Sequence, residues 1–322
     1  MERFVKLKIV NYIRYFLKKR TDIKKRLYRY RAYLKDGYYL LQPSYAYLQN
    51  SQVFLKSEIQ NIFLKMLFNR KVLLSSPDKK FYGNLLFCNA QGGIKIFNDQ
   101  EVLTFLKRDK FDKMQKLYTQ IENFFHIPKI LKVEQDYYIE RFIIDKKKRS
   151  FEEVGEIYQL LLNFYKERSF INKNINISAI EWQRFSVKNR LFVESLSQTS
   201  SYAYVVSHND IHFGNIIINQ EVYIIDWEYF GENLFFYDFM NLLFIEALGG
   251  DYRFLDSFFN GHFDAVFHTL FQLFDMKYDT TDRMQYCNAY LLQKIILRDL
   301  QEDNTHLNRV VARYKEVKEH YC

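Results

Sequence analysis

The sequence has little proline, glycine or cysteine. Its 322 residues include 3 prolines, 10 glycines and 3 cysteines, against 31 phenylalanines and 26 tyrosines. Three cysteines far apart argue against a disulfide framework and predict a reducing compartment. The scarcity of glycine and proline argues against collagenous, low-complexity and disordered chains and favours long helices with few elaborate loops.

Long apolar runs are also missing. No stretch approaches the roughly 20 apolar residues that a membrane-spanning helix needs. The N-terminus has neither the uninterrupted apolar region nor the small-residue cleavage site of a secretory signal. A content of 48% apolar residues with mixed charge is typical of a globular protein, and 322 residues are enough for two lobes. Because neither a secretory signal nor a membrane span is predicted, we expect a cytoplasmic location.

Positive charge is concentrated at the N-terminus. Residues 1–35 hold 13 Lys and Arg and two acids, a net of +11, so the remaining chain carries −2 of the total +9. Apolar residues near helical spacing predict a basic amphipathic helix. Such a helix can lie peripherally on an anionic membrane, bind an acidic partner or nucleic acid, or simply pack on its own protein. Nucleic acid is the least expected of these partners.

Residues 208–226 carry a polar pattern typical of one chemistry. Asp210 follows His208 by two positions, Asn215 follows Asp210 by five, and Asp226 comes after a hairpin with apolar arms. The first three residues have the spacing of the protein-kinase catalytic loop, H-x-D-x-x-x-x-N. Asp210 is therefore the predicted base for an attacking hydroxyl. Asn215 and Asp226 are predicted ligands of Mg²⁺, which prefers oxygen donors.

A longer stretch around this motif resembles the choline/ethanolamine kinases, within the aminoglycoside-phosphotransferase-like family. The resemblance is close over residues 207–241 and looser, in the order of elements, over about 80–300. The residues that carry it are Ser207, His208, Asn209, Asp210, Asn215, Ile216, Ile217, Ile225, Asp226, Trp227, Glu228, Tyr229, Gly231, Asn233, Tyr237, Asp238, Phe239 and Asn241.

The resemblance implies an α+β, bilobal protein-kinase-like fold and the use of ATP and Mg²⁺. It gives the small lobe five antiparallel strands and one helix, and makes the larger lobe mainly helical. It also implies that Asp238 braces the catalytic loop from the start of a helix, although an Asp there could be only a cap. His208 is expected to position the loop by bonding main chain near Asp226.

The predicted domains are a basic extension (1–75), a small lobe (76–147) and a helical catalytic lobe (148–322). Residues 38–75 are further helix or strand. The charged run 146–149 is interpreted as solvated surface. In order, the predicted elements are strands at 81–88, 93–98 and 101–107, a helix at 110–125, strands at 129–134 and 137–144, helices at 151–167 and 179–200, and three or four helices between 234 and 320.

The nucleotide-binding end of the pattern is weak. Gly83 could form a minimal phosphate loop. The strand position where this fold carries a phosphate-binding lysine holds Thr104, so Lys107, three residues later, and Lys95, one strand earlier, are the candidates. His212 could face the phosphates or pack.

Trp227, Glu228 and Glu232 follow the second metal ligand and could receive a cationic head group. Alternatively, Trp227 packs in the lobe and Glu228 lies at the surface. The predicted activity is ATP- and Mg²⁺-dependent phosphoryl transfer to a hydroxyl of an amino alcohol, a sugar, or a glycan- or lipid-linked precursor. Because the lysine is displaced, the alternative is a non-catalytic pseudokinase that binds a nucleotide or a partner in envelope or polysaccharide assembly.

Overall fold

A computed structural model of the chain divides into two compact units. One comprises Met1–Leu117 and Pro128–Ile143, the other Tyr118–Ile127 and Ile144–Cys322. The structure describes residues 25–26, 28–35, 37–43, 51–56, 69–72, 81–88, 93–106, 108–167, 173–176, 201–299, 316, 319 and 321. The predicted helix at 179–200 and most of the basic segment 1–35 lie outside these ranges.

The first unit is built on an antiparallel sheet of eight strands. All five predicted strands are present as β4 to β8, and three further strands from 37–72 extend the sheet at one edge in the order β3-β1-β2-β4-β5-β6-β8-β7. The strands are β1 (Gly37–Pro43), β2 (Ser51–Lys56), β3 (Asn69–Val72), β4 (Leu85–Cys88), β5 (Ile94–Phe97), β6 (Glu101–Phe105), β7 (Ile130–Val133) and β8 (Tyr137–Arg141).

The two faces of this sheet follow from the alternation of side chains along each strand. Leu86, Ile96, Leu103 and Ile139 are paired in register across β4, β5, β6 and β8 and form a buried apolar row. The other face carries Lys95, Thr104 and Tyr138, also paired in register. On that face helix α1 (Arg108–Ile121) packs Phe111 against Tyr138, with ring centroids 5.3 Å apart.

The second unit is mainly helical, as predicted. The helix expected at 151–167 is α2 (Phe151–Glu167), and the four described after residue 234 are α3 (Tyr237–Leu248), α4 (Arg253–Phe259), α5 (Asp264–Gln272) and α6 (Arg283–Asp299). None of the described helices is long and apolar enough to cross a membrane. The described strands of the second unit are β9 (Lys173–Asn176), β10 (Ser201–Ser207), β11 (Ile216–Ile218), β12 (Val222–Ile224) and β13 (Gly231–Leu234).

Aromatic side chains form much of the core of the second unit. The ring of Tyr158 on α2 stacks on Phe239 of α3 with centroids 4.8 Å apart. The Tyr158 hydroxyl donates to the Phe239 carbonyl at 2.9 Å, so this buried polar group is satisfied. Helix α3 is thereby tied to α2 through both packing and a hydrogen bond.

Gly83 tests the close packing of the first unit. Its N–H donates to Tyr33 and its carbonyl accepts from Lys35, and an added Cβ would lie 2.1 Å from Cγ2 of Ile96. We expect Gly83→Ala to lower the free energy of unfolding by about 1–3 kcal/mol through overpacking.

The matched control is Gly155→Ala in α2, where an added Cβ meets nothing within 4 Å. Relief of the glycine penalty should stabilise this variant by about 0.5–1 kcal/mol. Urea unfolding measures both. A Gly83→Ala protein as stable as the wild type would contradict the close packing of Gly83 against Ile96 of β5.

Candidate active site

Strands β10 and β13 bring the ends of the polar motif together. They pair antiparallel, with Ser207 opposite Gly231, so the loop that begins at His208 starts beside the segment that follows Asp226. Helix α3 begins at Tyr237, shortly after β13 ends. The pairing of β13 with β10 therefore places the first turn of α3 beside the loop that begins at His208.

Asp238 in that first turn is fully buried and accepts two main-chain hydrogen bonds from the loop. Its Oδ2 accepts from the N–H of His208 at 2.8 Å, and its Oδ1 from the N–H of Asn209 at 2.9 Å. The N-cap of α3 is Phe236, so the carboxylate braces the loop instead of capping its own helix. Burial raises the pKa of Asp238 to about 7, against the opposing effect of these amide donors.

His208 makes the contact expected from the sequence. Its Nε2 lies 3.0 Å from the carbonyl of Ile225, the residue before Asp226, and its Nδ1 accepts from the N–H of Asp210 at 3.2 Å. Burial lowers the pKa of His208 to about 4, so the ring is neutral near pH 7, with the proton assigned to Nε2. The imidazole thus ties the main chain of Asp210 to that of Ile225, directly before Asp226.

Asn209 contributes four hydrogen bonds that sequence reasoning missed. Its Oδ1 accepts from Ser207 Oγ at 3.0 Å and Asn233 Nδ2 at 2.6 Å, and its Nδ2 donates to the carbonyls of Tyr229 at 2.8 Å and Gly231 at 3.1 Å. It adopts a φ of 69°, which asparagine tolerates better than most residues. Two features of the sequence could have indicated this role: the His-Asn-Asp triplet and the polar residue Asn233, which directly precedes a run of apolar residues.

Asp210 and Asn215 are in direct contact. The Asn215 amide nitrogen donates to Asp210 Oδ2 at 3.1 Å and to the Asp210 carbonyl at 3.0 Å. His212 Nδ1 accepts from the N–H of Gly214 at 2.9 Å, which leaves Nε2 as its donor, 3.7 Å from the same Asp210 oxygen. Three of the predicted site residues are therefore gathered at one carboxylate.

Asp226 is exposed and held in a left-handed conformation, with φ 67° and ψ 52°. Such a conformation is uncommon outside glycine and clusters at functional sites. The neighbouring Ile225 N–H donates to the Asn215 carbonyl at 2.9 Å, so the main chains of the two predicted metal ligands are joined. A carboxylate and an amide oxygen make a donor set that suits a hard divalent cation.

The lysine run after β8 is not simply a solvated surface, and that interpretation is wrong for Lys147. Its side chain is 15% exposed and pairs with Asp145, with Nζ and Oδ2 2.5 Å apart. Its Nζ also donates to the carbonyls of Phe213 and Ile216, on either side of Asn215. Arg149 is exposed but bonds Glu246, its NH1 3.0 Å from Oε2. The sequence pattern hid the bonds to Phe213, Ile216 and Glu246 because these partners lie at least 66 residues away in sequence.

Trp227 is buried, which corresponds to the packing alternative. Its Nε1 donates to the Ile224 carbonyl at 2.8 Å, and its ring lies against His208 and Phe125, with centroids 4.5 and 5.1 Å away. Glu232 alternates with the buried Asn233 along β13 and is exposed. The side chain of Glu228 lies outside the described part of the structure.

The predicted nucleotide-binding residues of the first unit can be placed in part. Lys95 on β5 lies directly opposite Thr104 on β6. The buried Thr104 hydroxyl has no hydrogen-bond partner among the described residues. Gly83 forms a bridge with Leu34, and its N–H is bonded to Tyr33. Lys107 lies outside the described residues. Lys95 thus lies one strand before the position, Thr104, where a phosphate-binding lysine is expected.

The described part of the chain has an α+β fold, and its loop brings His212 and Asn215 to the carboxylate of Asp210. A family model described as choline/ethanolamine kinase matches residues 78–318. Because this match spans well over half of the chain, the protein belongs to the choline/ethanolamine kinase family. The resemblance inferred from residues 207–241 is confirmed. No curated protein matches the sequence.

Solved structures of related enzymes are similar at low identity. A choline kinase from Cryptosporidium parvum is 14% identical, covering 74% of this chain and 87% of its own, with a TM-score of 0.42. The choline kinase LicA from Streptococcus pneumoniae is 14% identical, covering 70% and 88%, with a TM-score of 0.40. A choline/ethanolamine kinase family protein from Mesorhizobium loti is 15% identical, covering 70% and 85%, with a TM-score of 0.38.

His208 and Asp238 should make opposite contributions to the pH dependence of stability. The pKa of Asp238 is raised from 3.8 to about 7, so its contribution is fully present below pH 3.8 and is lost as the pH rises towards 7. The pKa of His208 is lowered from 6.5 to about 4, so its contribution is present above pH 6.5 and is lost as the pH falls towards 4.

In the wild type the two effects oppose each other between about pH 4 and pH 6.5. We expect the stability of His208→Gln to fall as the pH rises from about 4.5 to 6.5, and that of Asp238→Asn to rise. Urea unfolding of both variants and the wild type at the two pH values measures the slopes. Parallel profiles for the two variants would contradict the assigned pKa directions.

Proposed function

We propose that this protein transfers the γ-phosphoryl group of ATP to a hydroxyl group of a small acceptor, with Asp210 as the base. The contact of Asn215 with Asp210, on a loop braced by the buried Asp238, carries the proposal. Kinase-type transfer needs a carboxylate at the attacking oxygen and oxygen ligands for a metal beside it. Both kinds of group occur here within one short segment.

The residues present fit Mg²⁺ as the metal, through the amide oxygen of Asn215 and the carboxylate of Asp226. When bound, the ion would neutralise charge on the transferring phosphates. The amide nitrogen of Asn215 donates to Asp210 Oδ2, which fixes the carboxylate rotamer. Asp210 then orients the acceptor hydroxyl and takes its proton as the oxygen attacks phosphorus.

The acceptor is proposed to be an amino alcohol, a sugar, or a glycan- or lipid-linked precursor. Membership of the choline/ethanolamine kinase family places amino alcohols first in the panel to be tested. Burial of Trp227 removes its face from a cationic head group, which leaves Glu228 and Glu232 as the proposed acidic contacts. The fold alone does not fix the acceptor, since one scaffold serves many substrates.

Asp210→Asn should slow turnover and spare nucleotide binding. Replacing the base by its neutral isostere should lower kcat about 10²–10⁴-fold. The measurement is acceptor-stimulated ADP release with ATP and Mg²⁺, over amino alcohols, sugars and aminoglycosides. The matched control is Asp275→Asn, the same substitution at an exposed aspartate, which should retain wild-type kcat. Asparagine tolerates the φ of 55° at this position.

The second candidate function is a pseudokinase that binds nucleotide without transferring phosphate. Thr104 at the expected lysine position favours it, because a threonine cannot neutralise phosphate charge. Nucleotide binding without turnover by the wild type, over the whole acceptor panel, would favour this function and contradict the kinase.

Acceptor-stimulated turnover that survives Asp210→Asn would instead contradict the assignment of Asp210 as the base.

Lys95 is the proposed phosphate-binding lysine. It lies directly across from Thr104, and the face that it shares with Thr104 carries α1. Loss of one charge-assisted hydrogen bond corresponds to about 1.5–3 kcal/mol, so Lys95→Met should raise the KM for ATP by about 10–100-fold. Lys110→Met, an exposed lysine of α1, is the control. An increase with Lys107→Met, and not with Lys95→Met, would reassign the role to Lys107.

The basic segment 1–35 is proposed to contact an anionic membrane surface peripherally. Its net charge of +11 supports attraction to acidic lipids, which salt would screen. A salt-sensitive association with anionic vesicles, lost when residues 1–24 are deleted, would support this contact.

A further inference from the structure

Lys147 lies in the segment that joins β8 to α2, and its ammonium group reaches the predicted metal-binding turn. Its Nζ donates to the carbonyl of Phe213 at 2.6 Å and to the carbonyl of Ile216 at 2.9 Å. These two carbonyls flank Asn215, one two residues before it and one directly after it. A single cation therefore holds the main chain on both sides of the proposed ligand.

Asp145 completes this attachment. Its Oδ2 lies 2.5 Å from Lys147 Nζ, and its Oδ1 accepts from the N–H of Ile218 at 3.2 Å. The N–H of Lys146 also donates to the Ile218 carbonyl at 2.6 Å. The segment 145–147 thus binds the turn before Asn215 and the strand β11 after it, at four main-chain groups.

Water cannot easily replace the lysine. Phe213 and Ile216 are fully buried, and an unsatisfied buried carbonyl is costly. Main-chain bonds of Asn215 itself, from its N–H to His212 and from Ile225 to its carbonyl, depend on the same turn. Removing the ammonium group would rotate these carbonyls towards other donors and would move the Asn215 side chain with them.

We propose that Lys147, with Asp145, is a positioning residue that sets the orientation of Asn215 for binding the metal–nucleotide complex. The inference rests on the proposed function, because it takes Asn215 as a metal ligand. It adds a residue from the segment between β8 and α2 to the support of the catalytic loop, which otherwise comes from residues 208–241. Because Lys147 is bonded to the carbonyls of Phe213 and Ile216, it acts on Asn215 through the main chain of the 213–216 turn.

The test measures metal binding directly, with no turnover required. Mn²⁺ is titrated by electron paramagnetic resonance in the presence of a non-hydrolysable ATP analogue, for the wild type, Lys147→Met, Lys147→Arg and Asp145→Asn. The control is Lys148→Met, an exposed lysine of the same run. Thermal unfolding of each metal-free protein establishes that all are folded at the titration temperature.

Lys147→Met should bind Mn²⁺ about 10–100-fold more weakly than the wild type, as is typical when a group supporting a metal ligand is lost. Lys147→Arg, which keeps the charge and donors, should recover part of the affinity, and Lys148→Met should match the wild type. Folded Lys147→Met with wild-type affinity would overturn the inference and leave the kinase intact.

If Lys147→Met does not fold, Asp145→Asn decides: weaker Mn²⁺ binding supports the inference, and unchanged binding overturns it. A wild-type protein that binds no Mn²⁺ with the analogue would overturn the metal site itself. That result is distinct from failure of the positioning role.

Discussion

The buried carboxylate of Asp238 is the contact on which the site depends. Taking a carboxylate out of water is costly, and two short bonds from the N–H groups of His208 and Asn209 offset part of that cost. Those same two residues hold the rest of the site, His208 through the Ile225 carbonyl and Asn209 through Tyr229 and the start of β13. The Asp238 side chain therefore positions the loop before Asp210 and, through His208, the segment before Asp226.

Helix α3 can deliver this carboxylate because its own position is set by packing. Tyr158 stacks on Phe239 and bonds its carbonyl, which ties the first turn of α3 to α2. Asn241, three residues after Asp238 and on the same side of the helix, donates to the Ile211 carbonyl at 2.7 Å. Its oxygen accepts from the buried side chains of Tyr290 and Lys294 on α6. Asp238 and Asn241, on one face of the helix, therefore hold the main chain on both sides of Asp210.

Much of this could be predicted from the chain, for physical reasons that also mark the limit. Strands β4 to β8 followed from short-range alternation and turn residues, and the spacing of Asp210 and Asn215 follows from a compact loop. β1 to β3 were less clear, because residues 38–75 lack a decisive period. Lys147 was misinterpreted because its partners are main-chain carbonyls, which leave no trace in side-chain pattern. Trp227 was ambiguous because an aromatic residue beside a catalytic motif can serve either core or ligand.

The most direct test compares phosphoryl transfer by the wild type and by Asp238→Asn, at a pH and temperature where both are folded by circular dichroism. An asparagine offers one acceptor oxygen where the carboxylate offers two, so one of the two loop amides loses its partner. A misplacement of about 1 Å at the base can lower kcat about 10²-fold, and we predict a fall of that order with nucleotide still bound. An Asp238→Asn enzyme with wild-type kcat would contradict the account, because the loop would then be positioned by something other than this carboxylate.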